Sequence, residues 1–113
     1  MKIKVGECDG EDLYMWTTIY DYASMDIIGG SKPTLLFVHG YVASGACYWT
    51  IYKRLMERFC VITVDQIGFG ASSRPLTNYD EETITPQESI DYFVNYLEAW
   101  RLAFSKEIKK DFS

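Results

Sequence analysis

The stretch Thr34-Leu35-Leu36-Phe37-Val38-His39-Gly40-Tyr41 decides the fold of this chain. Its first five residues form an apolar run with a proline in front and His-Gly behind. A short run of this kind predicts a strand that is buried on both faces, as strands of parallel sheets are. The glycine that follows lets the chain turn sharply and brings backbone N–H groups close to a ligand.

A second run, Cys60-Val61-Ile62-Thr63-Val64-Asp65, has the same character and also leads into a glycine-containing loop. Between the two runs, apolar residues recur at helical spacing. They predict a helix over about residues 46–58, with Trp49 and Cys47 in the core. Strand, helix and strand in this order predict a β–α–β unit, and hence the α/β fold class.

The N-terminal segment predicts an antiparallel hairpin. Residues 2–6 alternate between polar and apolar, and residues 13–20 are rich in aromatic and β-branched side chains. The dipeptide Asp9-Gly10 lies between them, and Asp-Gly is a strong signal for a tight hairpin turn.

The last element carries a clear helix start signal. Thr85 is placed as the N-cap, Pro86 as the first helical residue and Glu88 at the third position, which together form a capping box. Apolar residues then fall on one helical face to about Phe104, and Trp100 on that face is expected in the core.

Length and composition bound the class of protein. A chain of 113 residues makes one domain at most. Its net charge of −5 argues against a nucleic-acid partner, because phosphates require a basic face. Three cysteines, an odd number, favour free thiols in a reducing compartment. With one histidine a Cys/His zinc site is not expected, no cofactor site is predicted, and no apolar run is long enough to span a membrane.

Three segments resemble the first part of an α/β-hydrolase. They are Leu-Leu-Phe-Val-His-Gly-Tyr, then Val-Ile-Thr-Val-Asp-Gln-Ile-Gly-Phe-Gly-Ala-Ser-Ser-Arg-Pro, then Glu-Ser-Ile-Asp-Tyr-Phe-Val-Asn-Tyr-Leu-Glu-Ala-Trp-Arg. The resemblance covers about residues 10–104. The last two segments are similar to a lipid-metabolising subfamily of N-acyl phospholipid lipases and a lipase coactivator with lysophosphatidic acid acyltransferase activity.

This resemblance implies an incomplete α/β-hydrolase fold, in which the whole chain, residues 1–113, is the N-terminal part of one domain. The N-terminal hairpin would join parallel strands flanked by two helices, without the half that carries the nucleophile elbow. It also implies a cytoplasmic protein with peripheral contact to lipid droplets or organelle membranes.

The resemblance further implies a role for the loop after the first run. In the family this loop supplies half of the oxyanion hole, a backbone N–H that stabilises the negative oxygen formed when an acyl carbonyl is attacked. By position the donor here is the N–H of Tyr41. Residues expected to shape the site without reacting are His39, Gly40, Asp65, Gly68 and Gly70. We expect His39 to bond loop backbone rather than act as a general base.

The nucleophile elbow Gly-x-Ser-x-Gly is absent from the sequence. A triad also needs a histidine and an acid from later segments, and the only histidine here is His39 of the His-Gly motif. We therefore expect the chain to be inactive alone, and to act on a lipid or ester substrate only when other segments complete it. In the family's strand order the strand at 34–38 would have one open edge, which predicts self-association through that edge.

Two other classes of function stay open at this point. One is a non-catalytic pseudohydrolase module that binds a lipase or a lipid surface, for which an aromatic-rich N-terminal segment is suitable. The other is a nucleotide-binding half-domain built on Gly68 and Gly70. That reading has only two of the three glycines of Gly-x-Gly-x-x-Gly, and its helix signal begins at Thr85 instead of following the glycines directly.

Overall fold

A computed structural model of the protein describes residues 1–75 and 82–111, with side chains up to residue 108. Four strands form one sheet: β1 (Lys2–Cys8), β2 (Glu11–Tyr20), β3 (Thr34–Val38) and β4 (Cys60–Val64). The helices are α1 (Trp49–Leu55) and α2 (Pro86–Asp111), and short 3-10 turns precede β3 and α1. The strand order is β1-β2-β4-β3. β3 and β4 are parallel and the other pairs antiparallel, so the predicted α/β architecture is confirmed.

The predicted N-terminal hairpin is present, with longer strands than predicted. Asp9 and Gly10 both have positive φ, at 50° and 79°. A two-residue turn of this kind matches the twist of the strands it joins. The register shifts between Lys4 and Gly6, so β1 contains a bulge at Val5.

The two apolar runs form the expected strands but differ in burial. All five residues of β4 are buried, because β4 lies between β2 and β3. β3 ends the sheet, and its Leu36 and Val38 side chains are 40% and 39% exposed. The prediction that this strand is buried on both faces was therefore wrong: α1 covers the face that carries Phe37, but no described element covers the face that carries Leu36 and Val38.

Helix α1 is shorter than predicted and buries one side chain. Tyr52 packs against Phe37 of β3 and Tyr20 of β2, with ring centroids 5.7 and 5.0 Å away. Burial raises the pKa of Tyr52 to about 12. Trp49 is 71% exposed and Cys47 is also exposed, so the prediction of a core position was wrong for both. Helical spacing identifies a face, but no described element covers that face at Trp49.

The predicted capping box begins α2. The Thr85 N–H donates to the Glu88 carboxylate at 2.8 Å, and the Glu88 N–H donates to Thr85 Oγ1 at 3.2 Å. The hydrogen bond from the Thr85 backbone lowers the pKa of the Glu88 carboxyl from its ordinary value. Two N–H groups that the helix itself leaves without acceptors are thus satisfied.

Helix α2 packs on the sheet through its C-terminal part. Trp100 stacks on Phe104 at 4.9 Å, and both are buried, as predicted for Trp100. The Trp100 Nε1–H donates to Thr17 Oγ1 of β2 at 2.8 Å, in a fully buried contact. Nearer the N-terminus of α2, Ile90 and Val94 are more than half exposed. No helix of the described chain combines the length and the apolar character that crossing a membrane requires.

The Trp100–Thr17 hydrogen bond yields a prediction about stability. We expect Thr17→Val to lower the free energy of unfolding by about 1–3 kcal/mol, because it leaves a buried indole N–H without an acceptor. Urea denaturation followed by tryptophan fluorescence measures this loss. Thr18→Val, on the opposite face of the same strand, is the matched control. Equal effects of the two substitutions would show that the hydrogen bond contributes nothing.

The open edge of β3 yields a second prediction. The Cys60 N–H bonds to the Pro33 carbonyl. Since hydrogen bonds alternate along a strand, Thr34, Leu36 and Val38 direct their backbone groups away from the sheet. We expect the chain to elute in size-exclusion chromatography with an apparent mass above that of one chain, through pairing of this edge.

We expect Leu36→Lys to shift this elution toward the monomer, because a charge on an edge strand opposes pairing. Ile27→Lys places the same charge at an exposed position outside the sheet and serves as the control. A wild-type chain that elutes as a monomer and unfolds cooperatively on denaturation contradicts the prediction.

Candidate functional site

The loops that follow β3 and β4 meet at one end of the sheet, because the two strands are parallel and neighbouring. The Asp65 carboxylate joins them. It accepts the Gly45 N–H at 2.7 Å from the first loop and the Ala71 N–H at 2.9 Å from the second. Asp65 is 7% exposed. Because both hydrogen bonds are charge-assisted and the carboxylate is buried, Asp65 holds the two loops in place beside each other.

Glycines allow the loops to approach Asp65. A Cβ on Gly70 would overlap the Asp65 carboxylate, and the φ of Gly70 is 54°. A Cβ on Gly45 would lie 2.7 Å from Thr63 Oγ1. Gly68 has a φ of 84° with open space around it, so glycine is needed there only for its backbone conformation. At Gly40 a Cβ would meet nothing within 4 Å and φ is not positive, so this residue borders open space.

The ring of His39 is buried between the two loops. Its Nε2 accepts the Gln66 N–H at 2.8 Å, and its Nδ1 lies 2.7 Å from the Gly40 carbonyl oxygen. A backbone N–H can only donate, so Nε2 is an acceptor and the proton is on Nδ1. With both nitrogens engaged and 2% of the residue exposed, the ring has no free nitrogen to take a proton from a substrate.

This histidine also determines the direction of the next peptide group. The Gly40 carbonyl and the Tyr41 N–H belong to one planar trans peptide, so they point in opposite directions. The His39 ring holds the carbonyl, and the N–H of Tyr41 therefore points away from the ring. That N–H makes no hydrogen bond with any residue the structure describes.

The backbone beside this donor is strained. Val42 has a φ of 55°, a conformation that β-branched residues rarely adopt. Strain of this kind costs on the order of 1–3 kcal/mol and is concentrated at functional sites. The side chains of Tyr41 and Val42 are 78% and 75% exposed, so the donor is flanked by apolar surface.

An aromatic cluster supports the loops from the side of α2. The Phe69 ring contacts the rings of His39 and Tyr41, each at 5.7 Å and nearly perpendicular. On its other side Phe69 lies 6.3 Å from Phe93 of α2. The cluster therefore connects the loop after β3, the loop after β4 and helix α2.

Two serines of the second loop have structural contacts that the sequence did not reveal. Ser72 Oγ accepts the Trp16 N–H at 2.8 Å and donates to the Asp65 carbonyl at 2.5 Å. Ser73 Oγ accepts the Tyr14 N–H at 2.9 Å. The loop is thereby attached to β2. The Ser-Ser pair after Gly-x-Gly-x was the available signal, but its partners lie almost 60 residues away in the chain.

The structure has a cavity beside Asp65, but the Tyr41 N–H lies outside it. A cavity of about 350 Å3 is lined by the following residues: Trp16, Thr18, Tyr20, Ser44, Ala46, Thr63, Asp65, Gly70 and Ala71. It reaches Asp65 and Gly70, whereas neither Tyr41 nor His39 lines it. Among the described residues, no cluster of three or more His, Cys, Asp or Glu side chains could hold a metal ion.

Comparison with known proteins identifies the family. The family model of the alpha/beta hydrolase fold matches residues 33–103. The chain therefore belongs to the α/β-hydrolase fold family, as its sequence motifs indicate. A solved structure, the haloalkane dehalogenase DatA from Agrobacterium tumefaciens C58, superposes with a TM-score of 0.61 and 25% identity. That match covers 92% of this chain and 28% of the dehalogenase.

The relatives of this chain include proteins with acyltransferase names. A probable 1-acylglycerol-3-phosphate O-acyltransferase of Oryza sativa subsp. japonica is 41% identical over 73 residues, 65% of this chain and 17% of that protein. The 1-acylglycerol-3-phosphate O-acyltransferase ABHD5 of Rattus norvegicus is 31% identical over 90 residues, 79% of this chain and 22% of that protein. The resemblance to this subfamily is confirmed, and the chain spans about a fifth of the length of both relatives.

The glycine positions yield a prediction that separates two effects. We expect Gly68→Ala to lower the free energy of unfolding by about 1–2 kcal/mol, the cost of a side chain at positive φ. Gly70→Ala adds an overlap with the Asp65 carboxylate, so we expect a further loss of about 1–3 kcal/mol. Thermal or urea denaturation of both variants provides the comparison. Equal losses would mean that Gly70 does not need the close approach to Asp65.

Proposed function

We propose that this chain supplies the oxyanion-stabilising half of an acyl-transfer site that acts on carboxylic esters of lipids. The proposal is carried by one observation: the Tyr41 N–H is directed away from the His39 ring by a peptide held at Gly40, and no described residue accepts it. A donor that needs no reorganisation when charge develops is what oxyanion stabilisation requires.

The proposed chemistry is nucleophilic attack on an acyl carbonyl. Attack converts the carbonyl oxygen into an oxyanion, and the Tyr41 N–H would donate to it at about 2.7–3.1 Å. One such donor contributes about 3–4 kcal/mol to lowering the barrier in well-studied hydrolases. The nucleophile and its base belong to polypeptide outside these 113 residues, because none of the serines is in an elbow.

The lipid class of substrate is supported by two independent features. The names of both acyltransferase relatives contain 1-acylglycerol-3-phosphate, a single-chain phospholipid. The exposed side chains of Tyr41 and Val42 place apolar surface beside the donor, which suits an acyl chain. Hydrolysis and acyl transfer share an acyl-enzyme step, so the same donor serves both, with water or a lipid hydroxyl as acceptor.

A non-catalytic pseudohydrolase module is the second candidate. It is favoured by the exposed aromatic and aliphatic side chains around the site, which would equally suit contact with a lipase or a lipid surface: Tyr41, Val42 and Trp49. In either case we place the protein in the cytoplasm, with peripheral contact to lipid. The two candidates differ in the residue at the nucleophile position, which none of these 113 residues supplies in a Gly-x-Ser-x-Gly elbow.

The first test is the transcript. A reading frame that continues past Ser113 into Gly-x-Ser-x-Gly within roughly 20 residues, and later into an acid and a histidine, supports the enzyme. Asn or Asp in place of that serine supports the pseudohydrolase module. A stop codon directly after Ser113 would overturn the enzyme proposal.

The second test removes the donor itself. Tyr41→Pro deletes the backbone N–H, whereas Tyr41→Ala keeps it and removes the side chain. In the longest translated product, assayed on 1-acylglycerol-3-phosphate, we expect Tyr41→Pro to lower kcat by about 100- to 1000-fold. Tyr41→Ala is expected to change kcat far less. Similar effects of both substitutions, or labelling of the 113-residue chain by a fluorophosphonate, would contradict the proposal.

A further inference from the structure

Gln66 contacts His39 twice, through its backbone and through its side chain. Its backbone N–H donates to His39 Nε2 at 2.8 Å. Its side-chain Nε2–H donates to the His39 carbonyl oxygen at 2.6 Å. Gln66 directly follows Asp65 at the end of β4, so both bonds connect the second loop with the first.

The two contacts act on successive peptide groups. The Gln66 carboxamide holds the carbonyl of the His39–Gly40 peptide, and the His39 ring holds the carbonyl of the Gly40–Tyr41 peptide. A planar peptide whose carbonyl is held has an N–H of fixed direction. Gly40 alone would leave both peptides free to rotate, because glycine restricts φ and ψ least.

From this geometry we propose that the side chain of Gln66 is a positioning residue for the Tyr41 N–H. It touches neither substrate nor reacting atoms and acts through His39 and Gly40. The inference rests on the proposed function, since it assigns a support to the oxyanion donor. A hydrogen-bond donor is required because the group must donate to a carbonyl oxygen, which a carboxylate or an alkyl side chain does not do.

The test is NMR relaxation of the Tyr41 backbone 15N in the 113-residue chain. Gln66→Met removes the donor at nearly constant length, and Gln66→Lys restores a donor. Gln87→Met is the matched control, because the Gln87 amide also donates, to Asp91, but on exposed helix surface. We expect an order parameter of about 0.85 in the wild type and the control, and below about 0.6 in Gln66→Met.

Gln66→Lys completes the comparison. A return of the Tyr41 order parameter toward the wild-type value in this variant supports the donor role. An unchanged order parameter in Gln66→Met overturns the inference. If Gln66→Met does not fold, the lysine variant decides: order like the wild type supports the inference, and a value below about 0.6 overturns it.

A second measurement is the tautomer of His39, which is accessible because the chain has a single histidine. Imidazole 15N shifts report which ring nitrogen of His39 carries the proton. We expect Nδ1 in the wild type and in Gln66→Met, since the backbone N–H of residue 66 remains. A proton on Nε2 in the wild type would overturn the inference, because the ring could not then hold the Gly40 carbonyl.

These measurements are independent of turnover. If Tyr41→Pro leaves kcat unchanged while Gln66→Met still disorders the Tyr41 N–H, the proposed function fails and the positioning contact stands. If the order of the N–H does not depend on Gln66 while Tyr41→Pro abolishes turnover, the positioning role fails and the proposed function stands.

Discussion

The Asp65 carboxylate is the group on which the rest of the site depends. It directly follows β4, which among the described strands is the one buried along its whole length, and it accepts N–H groups from both loops. A buried carboxylate is stable only when hydrogen bonds replace the lost water. The two loops are drawn together because each contributes one of those bonds. Gly45 and Gly70 lack side chains at the points where a Cβ would obstruct this approach.

The chemistry that we propose for this chain depends on a backbone group. His39, the residue that most invites a catalytic interpretation, has both ring nitrogens engaged in holding peptide groups. The N–H of Tyr41 has no acceptor among the residues that the structure describes, and it lies next to a strained Val42. A preorganised amide costs no reorganisation when charge develops on a reacting carbonyl oxygen, and this is the physical basis of the role in acyl transfer that we propose.

Two apolar surfaces of the described chain are open to solvent. The backbone groups of β3 on its outer side have no partner strand among the described residues, and Leu36 and Val38 are partly exposed. On α2 the apolar stripe is covered at Trp100 but open at Ile90. The two acyltransferase relatives are several times longer than this chain.

Sequence alone determined what depends on local pattern. The bounds of β3 and β4, the Asp9-Gly10 turn and the capping box at Thr85 follow from apolar runs, positive φ and side-chain caps within a few residues. The family and the grouping of the site residues after two parallel strands were also readable, because the motifs are contiguous.

Only the tertiary structure decided burial and partnership. Two runs of equal apolar character became a buried strand and an open edge, since burial is set by neighbours. Trp49 and Trp100 both fall at helical spacing, yet Trp49 is exposed and only Trp100 is buried. Gln66 and Ser72 gained their partners across 27 and 56 residues of chain. No local pattern encodes such pairs, because a polar side chain meets its distant partner only once the hydrophobic packing has brought the strands together.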